Sequence, residues 1–132
     1  MLVEALDLLE DGTVAFTEQD DAAATYAEKI TAADRRLDPS ESAADLAAKV
    51  RALTPHIGAF LELEGGERLG VRRASPSATT STTGIGEVVA DDDALLLGTG
   101  DGVLRLEIVQ AAGGKPMSAA DYLRGHEPPK LA

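Results

Sequence analysis

Few residues of this 132-residue chain have the type and spacing that catalysis or metal binding requires. The absence of cysteine excludes disulfides, thiolate metal sites and cysteine nucleophiles. His56 and His126 are seventy residues apart, and neither has a serine or an acidic partner at catalytic spacing. We therefore expect no thiolate or imidazole metal site in this chain, and only incidental surface or packing roles for the two imidazoles.

Two other motifs superficially look like ligand sites. The glycine-rich GTGDG at 98–102 suggests a phosphate-binding loop, but such loops lie between a strand and a helix, and an alternating strand pattern follows here. The acidic run 91–93 could bind Ca²⁺, yet it lacks the spaced acidic ligands and the closing glutamate of a calcium loop. We predict a hairpin turn at 98–102 and a solvated turn at 91–93.

The basic residues are the remaining candidates for a binding role. The net charge is −11, but residues 1–45 contain 12 acidic and 3 basic side chains, whereas residues 46–132 contain 11 and 9. The second part can therefore present a basic face to a phosphate backbone. The candidates are Lys49, Arg51, Arg72, Arg73, Lys115 and Arg124. The alternative is that they are solvated charges and partners of helix C-termini.

The type of nucleic acid contact is limited by the aromatic content. The chain has only two Phe and two Tyr, and proteins that bind single strands stack bases on aromatic side chains. If RNA binds here, shape and phosphate contacts must dominate over base stacking.

Three helices are predicted from apolar periodicity and capping residues. Residues 2–10 have leucines at i, i+4 and i+7, but a helix this short must pack on a partner. Asp38, Pro39 and Glu41 match a helix start, with Asp38 as the N-cap. The apolar stripe of that helix is Ala43, Leu46, Val50 and Leu53, and Pro55 ends it. A second capping pattern at 118–121 predicts a short last helix.

The middle of the chain has the period-2 alternation of strands. Residues 59–64 and 69–72 alternate around Gly65-Gly66 and predict a hairpin, and 88–89, 94–97 and 103–109 predict further strands. Residues 75–83 are Ser/Thr-rich and are expected to form a mobile loop. Short strands with glycine-bearing turns favour a mainly β fold with short helices, built as a small antiparallel barrel.

The remaining segment, 13–38, is polar, Ala-rich and acidic, and is interpreted as a connector laid over a surface. Tyr26 and Ile30 are an i, i+4 pair within it, which does not distinguish a helical turn from an edge strand. No apolar run approaches the length of about 20 residues that a membrane span needs, and the first residues lack the basic flank of a signal peptide. We expect a cytoplasmic protein without a membrane segment.

Four pieces of the chain, in order and at similar spacing, resemble the C-terminal part of methionyl-tRNA formyltransferase. They are ALDLLEDG (5–12) with TEQD (17–20), YAEKI (26–30), VRALTP (50–55) with GAF (58–60), and GDG (100–102) through Gln110 to GKPMS (114–118). Each piece alone is a weak signal, but the ordered set is specific and extends over nearly the whole chain.

This resemblance implies a function and a division of the chain. The family transfers a formyl group from 10-formyltetrahydrofolate to the amino group of methionyl-initiator-tRNA, with its catalytic residues in an N-terminal Rossmann-like domain that nothing here matches. Residues 1–12 are then the terminal helix of the missing catalytic domain, 13–38 the interdomain linker, and 39–132 an OB-like domain that holds tRNA. The fragment alone should be inactive, bind no cofactor itself, and be a monomer.

The resemblance also selects individual basic residues. Lys29 falls on the linker lysine of the family, Arg51 on its helix arginine, and Lys115 on the basic residue of its glycine-basic-basic stretch. These three are the first candidates for phosphate contacts. Two alternatives remain: the corresponding domain of another folate-dependent formyltransferase, with a sugar-nucleotide or small-molecule substrate, and a purely structural interaction module.

Overall fold

The computed structural model describes residues 1–79 and 83–132, and within them the fold is mainly antiparallel sheet with short helices, as predicted. The helices are α1 (Leu2–Glu10), α2 (Ala32–Arg35), α3 (Ala43–Leu53) and α4 (Ala119–Leu123). The strands are β1 (Ala59–Glu62), β2 (Arg68–Ser77), β3 (Val88–Asp91), β4 (Ala94–Gly98), β5 (Val103–Gln110) and β6 (Met117–Ser118). A single 3₁₀ turn, Asp21–Ala23, lies between α1 and α2 in the described chain.

The mainly antiparallel sheet is open and does not close into the small barrel expected from the sequence. Its strand order is β1-β2-β5-β4-β3, with β6 paired to β5, and no ladder joins β1 to β3 among the described residues. Instead, the free edge of β1 is covered by two other parts of the chain. Leu37 donates its backbone N–H to the Phe60 carbonyl at 2.9 Å, and Leu63 forms an antiparallel bridge with Leu131. Covering an edge in this way prevents pairing with another molecule without a closing strand.

One helix lies on one face of the sheet and completes the main core. The stripe predicted for α3 is buried, and Leu46 and Val50 are fully inaccessible to solvent. These residues pack on the alternating inward positions of β1, β2 and β5, including Leu61 and Val71. Leu37 also belongs to this core, although it comes from the segment before α3.

The start of α3 differs from the sequence prediction. Asp38 does not cap the helix, because its carboxylate accepts hydrogen bonds from the backbone N–H and hydroxyl of Ser40, at 2.9 and 2.8 Å. These bonds form a turn, lower the pKa of Asp38, and delay the helix by four residues. Ser42 is the N-cap instead, and its hydroxyl oxygen accepts from the Asp45 N–H.

The predicted hairpin between β1 and β2 is confirmed, with Ala59 opposite Val71 and Leu61 opposite Leu69. The adjoining mobile loop is wrong for residues 75–77, which continue β2 and pair with β5. Pro76 lies in a part of β2 that pairs with β5 alone, because the β1 ladder has already ended, and proline is tolerated in such edge positions. The part of this predicted loop at 80–82 lies outside the described residues.

The N-terminal part of the chain contributes little to the core. The helix predicted at 2–10 is confirmed, but Leu2, Leu6 and Leu9 are 75%, 55% and 51% exposed. Tyr26 and Ile30 belong to neither a helix nor a strand, and Tyr26 is 94% exposed. Across the residues that the structure describes, we find no helix with the length and hydropathy of a membrane span.

Candidate nucleic-acid interface

The motifs that superficially looked like ligand sites have structural roles. Residues 98–102 form the predicted hairpin turn, in which the Thr99 N–H donates to the Gly102 carbonyl at 2.8 Å. His126 stacks on Tyr122 with ring centroids 4.3 Å apart, and its Nδ1 lies 3.1 Å from the Tyr122 carbonyl oxygen. In the described parts of the chain, no three His, Cys, Asp or Glu side chains come together as a metal site. Of the acidic run 91–93, Asp91 ends β3, and Asp92 and Asp93 form the turn to β4.

Three of the predicted binding residues are in ion pairs. Lys49 lies 2.8 Å from Glu41, Arg73 2.7 Å from Glu107, and Arg124 2.8 Å from Asp121. Arg36 also forms an ion pair, with Glu62 at 3.1 Å. Within residues 1–79 and 83–132, these four cations are the ones that have a carboxylate partner. Such pairs near the surface contribute about 0–1 kcal/mol each. Their positive charge is nevertheless compensated within the protein.

Arg72 lines an open groove, and Arg51 and Lys115 are close in sequence to other residues that line it. The groove has a volume of about 420 Å³ and is lined by Thr54, Pro55, Arg72, Gln110 and Pro116. Arg51 is exposed on the last turn of α3, three residues before Thr54, and the exposed Lys115 directly precedes Pro116. Neither Arg51 nor Lys115 has an ion-pair partner within the described chain. Two cations without an ion-pair partner are therefore within three residues, in sequence, of the lining of the groove that contains Arg72.

A chain of hydrogen bonds holds the groove together. Thr54 donates its hydroxyl to the Val50 carbonyl at 2.8 Å and lies 3.2 Å from the Arg72 carbonyl. The Arg72 guanidinium donates twice to Gln110 Oε1, at 3.0 and 2.7 Å, and Gln110 Nε2 donates to the Gly114 carbonyl at 2.8 Å. The end of α3, strands β2 and β5, and the turn that carries Lys115 are thus linked by one network.

Sequence reasoning missed Arg35 and Arg68, which lie over the ring of Phe60. The guanidinium carbons are 5.8 Å (Arg35) and 4.3 Å (Arg68) from the ring centroid. Arg35 also donates from Nε to the Gly58 carbonyl at 2.9 Å. Gly58 has φ of +81°, and a Cβ there would collide with the Arg72 guanidinium, so Arg72 and Arg35 both contact this glycine. No local sequence signal finds this arrangement, because β1–β2 pairing brings Arg68 to Phe60 and the bridge between Arg36 and Phe60 brings Arg35 there.

Lys29 stands apart from these contacts. It lies in the exposed segment between the 3₁₀ turn and α2, and it makes no hydrogen bond or ion pair with any described residue. Of the seven predicted binding residues, Arg51, Arg72 and Lys115 are therefore close to one groove. Lys49, Arg73 and Arg124 are occupied by carboxylates, and Lys29 is on a separate segment.

An open antiparallel sheet packed on one helix, with a basic surface at the end of that helix, defines a small β-rich domain. Residues 29–127 match the family model described as formyl transferase, C-terminal domain. The chain belongs to this family, which confirms the resemblance found in the sequence.

The matching relatives are longer than this chain. It is 41% identical over 128 residues to a methionyl-tRNA formyltransferase of Rubrobacter xylanophilus, covering 95% of this chain and 42% of that protein. It is 39% identical over 125 residues to a methionyl-tRNA formyltransferase of Rhizobium rhizogenes. That match covers 94% of this chain and 39% of that protein. The chain thus spans about two fifths of the length of these relatives.

Solved structures agree on the fold. A variant of HypX from Aquifex aeolicus matches with a TM-score of 0.71 and 23% identity, covering 98% of this chain and 25% of that one. The structure of HypX from Aquifex aeolicus in complex with tetrahydrofolic acid matches with a TM-score of 0.70 and 23% identity. This match covers 98% of this chain and 24% of that one. At this identity the likeness concerns the fold alone.

Proposed function

We propose that this chain is the C-terminal, tRNA-holding domain of a methionyl-tRNA formyltransferase. The whole enzyme transfers a formyl group from 10-formyltetrahydrofolate to the amino group of methionyl-initiator-tRNA, in the cytoplasm, at the start of translation. The names of the relatives and their identity of about 40% over nearly all of this chain support the proposal. Catalysis belongs to a Rossmann-like N-terminal domain, which would occupy the part of the relatives that this chain does not cover.

The folate co-substrate is assigned to that catalytic domain. The residues of this chain do not fit the reaction: the His126 ring is stacked on Tyr122, and His56 makes no hydrogen bond to any described residue. The His126 Nδ1 lies at the Tyr122 carbonyl, and His56 has no partner among the described residues that would orient it, so we assign no step of formyl transfer to this chain.

The role of this chain is to bind and orient. Arg51 and Lys115 contact phosphates on the tRNA backbone beside the groove, while Lys29 contacts it from the linker. Phosphate contacts fix position without reading sequence. Holding the tRNA at a remote site places its amino group against the catalytic domain, which removes much of the entropic part of the barrier.

The single observation that carries this role is the uncompensated charge at the groove. The chain has a net charge of −11, yet Arg51 and Lys115 have no carboxylate partner in the described structure, and Arg72 donates to a neutral amide. Lys49, Arg73 and Arg124 contact phosphate only if it displaces their carboxylates, so they rank below the other four.

The proposed division of the chain follows from the same assignment. Residues 1–12 are the last helix of the catalytic domain, 13–38 the linker, and 39–132 the tRNA-holding domain. The exposed leucines of α1 are covered by the catalytic domain in the whole enzyme, which we expect to act as a monomer.

The test is a titration of this chain with initiator tRNA over a series of salt concentrations. At least three phosphate contacts make the logarithm of affinity fall with the logarithm of salt at a slope of roughly −2 or steeper. The triple variant Lys29→Ala, Arg51→Ala, Lys115→Ala is expected to lose most of this salt-dependent binding. In the whole enzyme it should mainly raise the KM for tRNA, and wild-type tRNA kinetics in the variant would refute the assignment.

A further inference from the structure

Arg35, Arg68 and Arg72, which we call the arginine cluster, form a second concentration of positive charge. Each of the three lacks an ion pair with the described residues, in contrast to Arg36 and Arg73, which are their neighbours in sequence. Contacts through Phe60 and Gly58 join them into one surface on β1 and β2. Like charges held close together repel one another, so an anion bound here would relieve that repulsion.

Two carboxylates next to the cluster are already occupied, and Glu67, which directly precedes Arg68, forms no ion pair with it. Glu62 lies directly opposite Arg68 in the β1–β2 register, but its carboxylate pairs with Arg36 at 3.1 Å. Asp34 directly precedes Arg35, but its Oδ2 accepts the backbone N–H and the hydroxyl of Thr31, at 2.7 and 2.8 Å. The positive charge of the cluster therefore remains available to a ligand.

The geometry of the cluster leaves donors unused. A guanidinium carries five N–H donors in a planar fork that matches phosphate oxygens. Arg35 uses one donor on the Gly58 carbonyl, and the Arg68 guanidinium makes no hydrogen bond within the described chain. Contact with the Phe60 ring holds both side chains in place, which reduces the entropy lost on binding. Phe60 itself is 5% exposed, so it supports the arginines and does not stack on a base.

We infer that Arg35 and Arg68 bind phosphates of an RNA backbone, with Arg72 connecting them to the groove bordered by Arg51 and Lys115. This inference rests on the proposed tRNA-holding function and extends its contact surface. Arg72 contacts Gly58 on the cluster side and Gln110 in the groove, so the two regions are continuous. The backbone then runs from the end of α3 across the outer face of β1 and β2.

The experiment compares salt slopes for wild-type chain and a double variant, Arg35→Gln with Arg68→Gln. Loss of two phosphate contacts makes the slope shallower by about 1.4 to 1.8 and weakens binding by roughly tenfold or more. Lys130→Gln is the charge control, because Lys130 lies in a separate groove with Glu64, Glu87 and Glu127. Its slope is expected to match that of the wild-type chain.

A second pair of variants separates binding from support of the fold. Arg35→Lys with Arg68→Lys keeps both charges and should restore the slope, although not the full affinity, because lysine lacks the planar fork. If the arginines only clamp Phe60, both double variants lower the melting temperature and both keep the wild-type slope. That result would overturn the inference.

Initiator tRNA and a short RNA duplex are both used as probes, so that the two proposals fail separately. An unchanged slope in the Arg35/Arg68 glutamine variant, with binding lost in the Lys29/Arg51/Lys115 variant, overturns the cluster alone. A second outcome is that the duplex binds in a salt-dependent way, that tRNA does not bind, and that the glutamine variant loses the duplex binding. This outcome supports the cluster and overturns the tRNA assignment. No salt-dependent binding of either probe overturns both.

Discussion

Replacing Asp101 with alanine removes a contact that joins the β4–β5 turn to the start of α3. Asp101 Oδ1 accepts the backbone N–H of Ala43 at 2.8 Å, across 58 residues of sequence. Ala43 is the first residue of α3 and is 5% exposed, so this N–H has no partner inside the helix and little access to water.

The magnitude follows from two contributions to stability. Loss of a helix-capping acceptor costs about 0.5–2 kcal/mol, and a buried donor left without a partner costs about 1–3 kcal/mol. The two figures describe the same N–H and overlap, so we expect Asp101→Ala to lower the free energy of unfolding by about 1–2 kcal/mol. For a domain of this size that corresponds to a fall in melting temperature of about 4–8 °C.

Urea denaturation followed by circular dichroism measures this directly. Asp93→Ala is the matched control, because Asp93 lies in an exposed turn and makes no hydrogen bond with the described residues. Asp101→Asn keeps an acceptor oxygen and should recover most of the lost stability. Equal unfolding midpoints for Asp101→Ala and Asp93→Ala would refute the reasoning.

Two further predictions concern packing and pH. A Cβ at Gly98 would collide with the Gly84 carbonyl, so Gly98→Ala should lower the free energy of unfolding by at least about 2 kcal/mol. A Cβ at Gly102 has nothing within 4 Å, so Gly102→Ala should have the same urea unfolding midpoint as the wild-type chain. Burial raises the pKa of Tyr122 above 10.0. Since the unfolded chain loses this proton first, stability falls as pH rises past 10, and Tyr122→Phe should reduce that fall relative to a Tyr26→Phe control. An identical pH dependence in the two Phe variants would contradict the assignment.

Much of the fold could be predicted because local patterns and the tertiary structure agree. The stripe of α3 has the helical period and is buried, and the β1–β2 hairpin has period 2 around a glycine pair. Ser118 caps α4 through the Asp121 N–H, as the capping pattern predicts. In each case the interaction is between residues close in sequence, so the signal is complete within a short window.

The errors occur where a second local contact or a distant residue competes with the expected local one. Asp38 has the right type and position to cap a helix, but it bonds Ser40, and the helix instead receives Ser42 and Asp101 as acceptors. Residues 75–77 have a loop-like composition, yet β5 provides a pairing partner. No local preference of about 1 kcal/mol outweighs a whole ladder of such contacts.

The candidate site shows the same division. The sequence by itself determined the family, the helix that carries Arg51, the strand that carries Arg72 and the turn before Lys115. Only the tertiary structure decided which cations are free, since Arg73 meets Glu107 across the sheet while Arg68 meets the Phe60 ring. The physical reason is that an element forms from local contacts, whereas the charge a side chain presents depends on neighbours brought near by strand pairing.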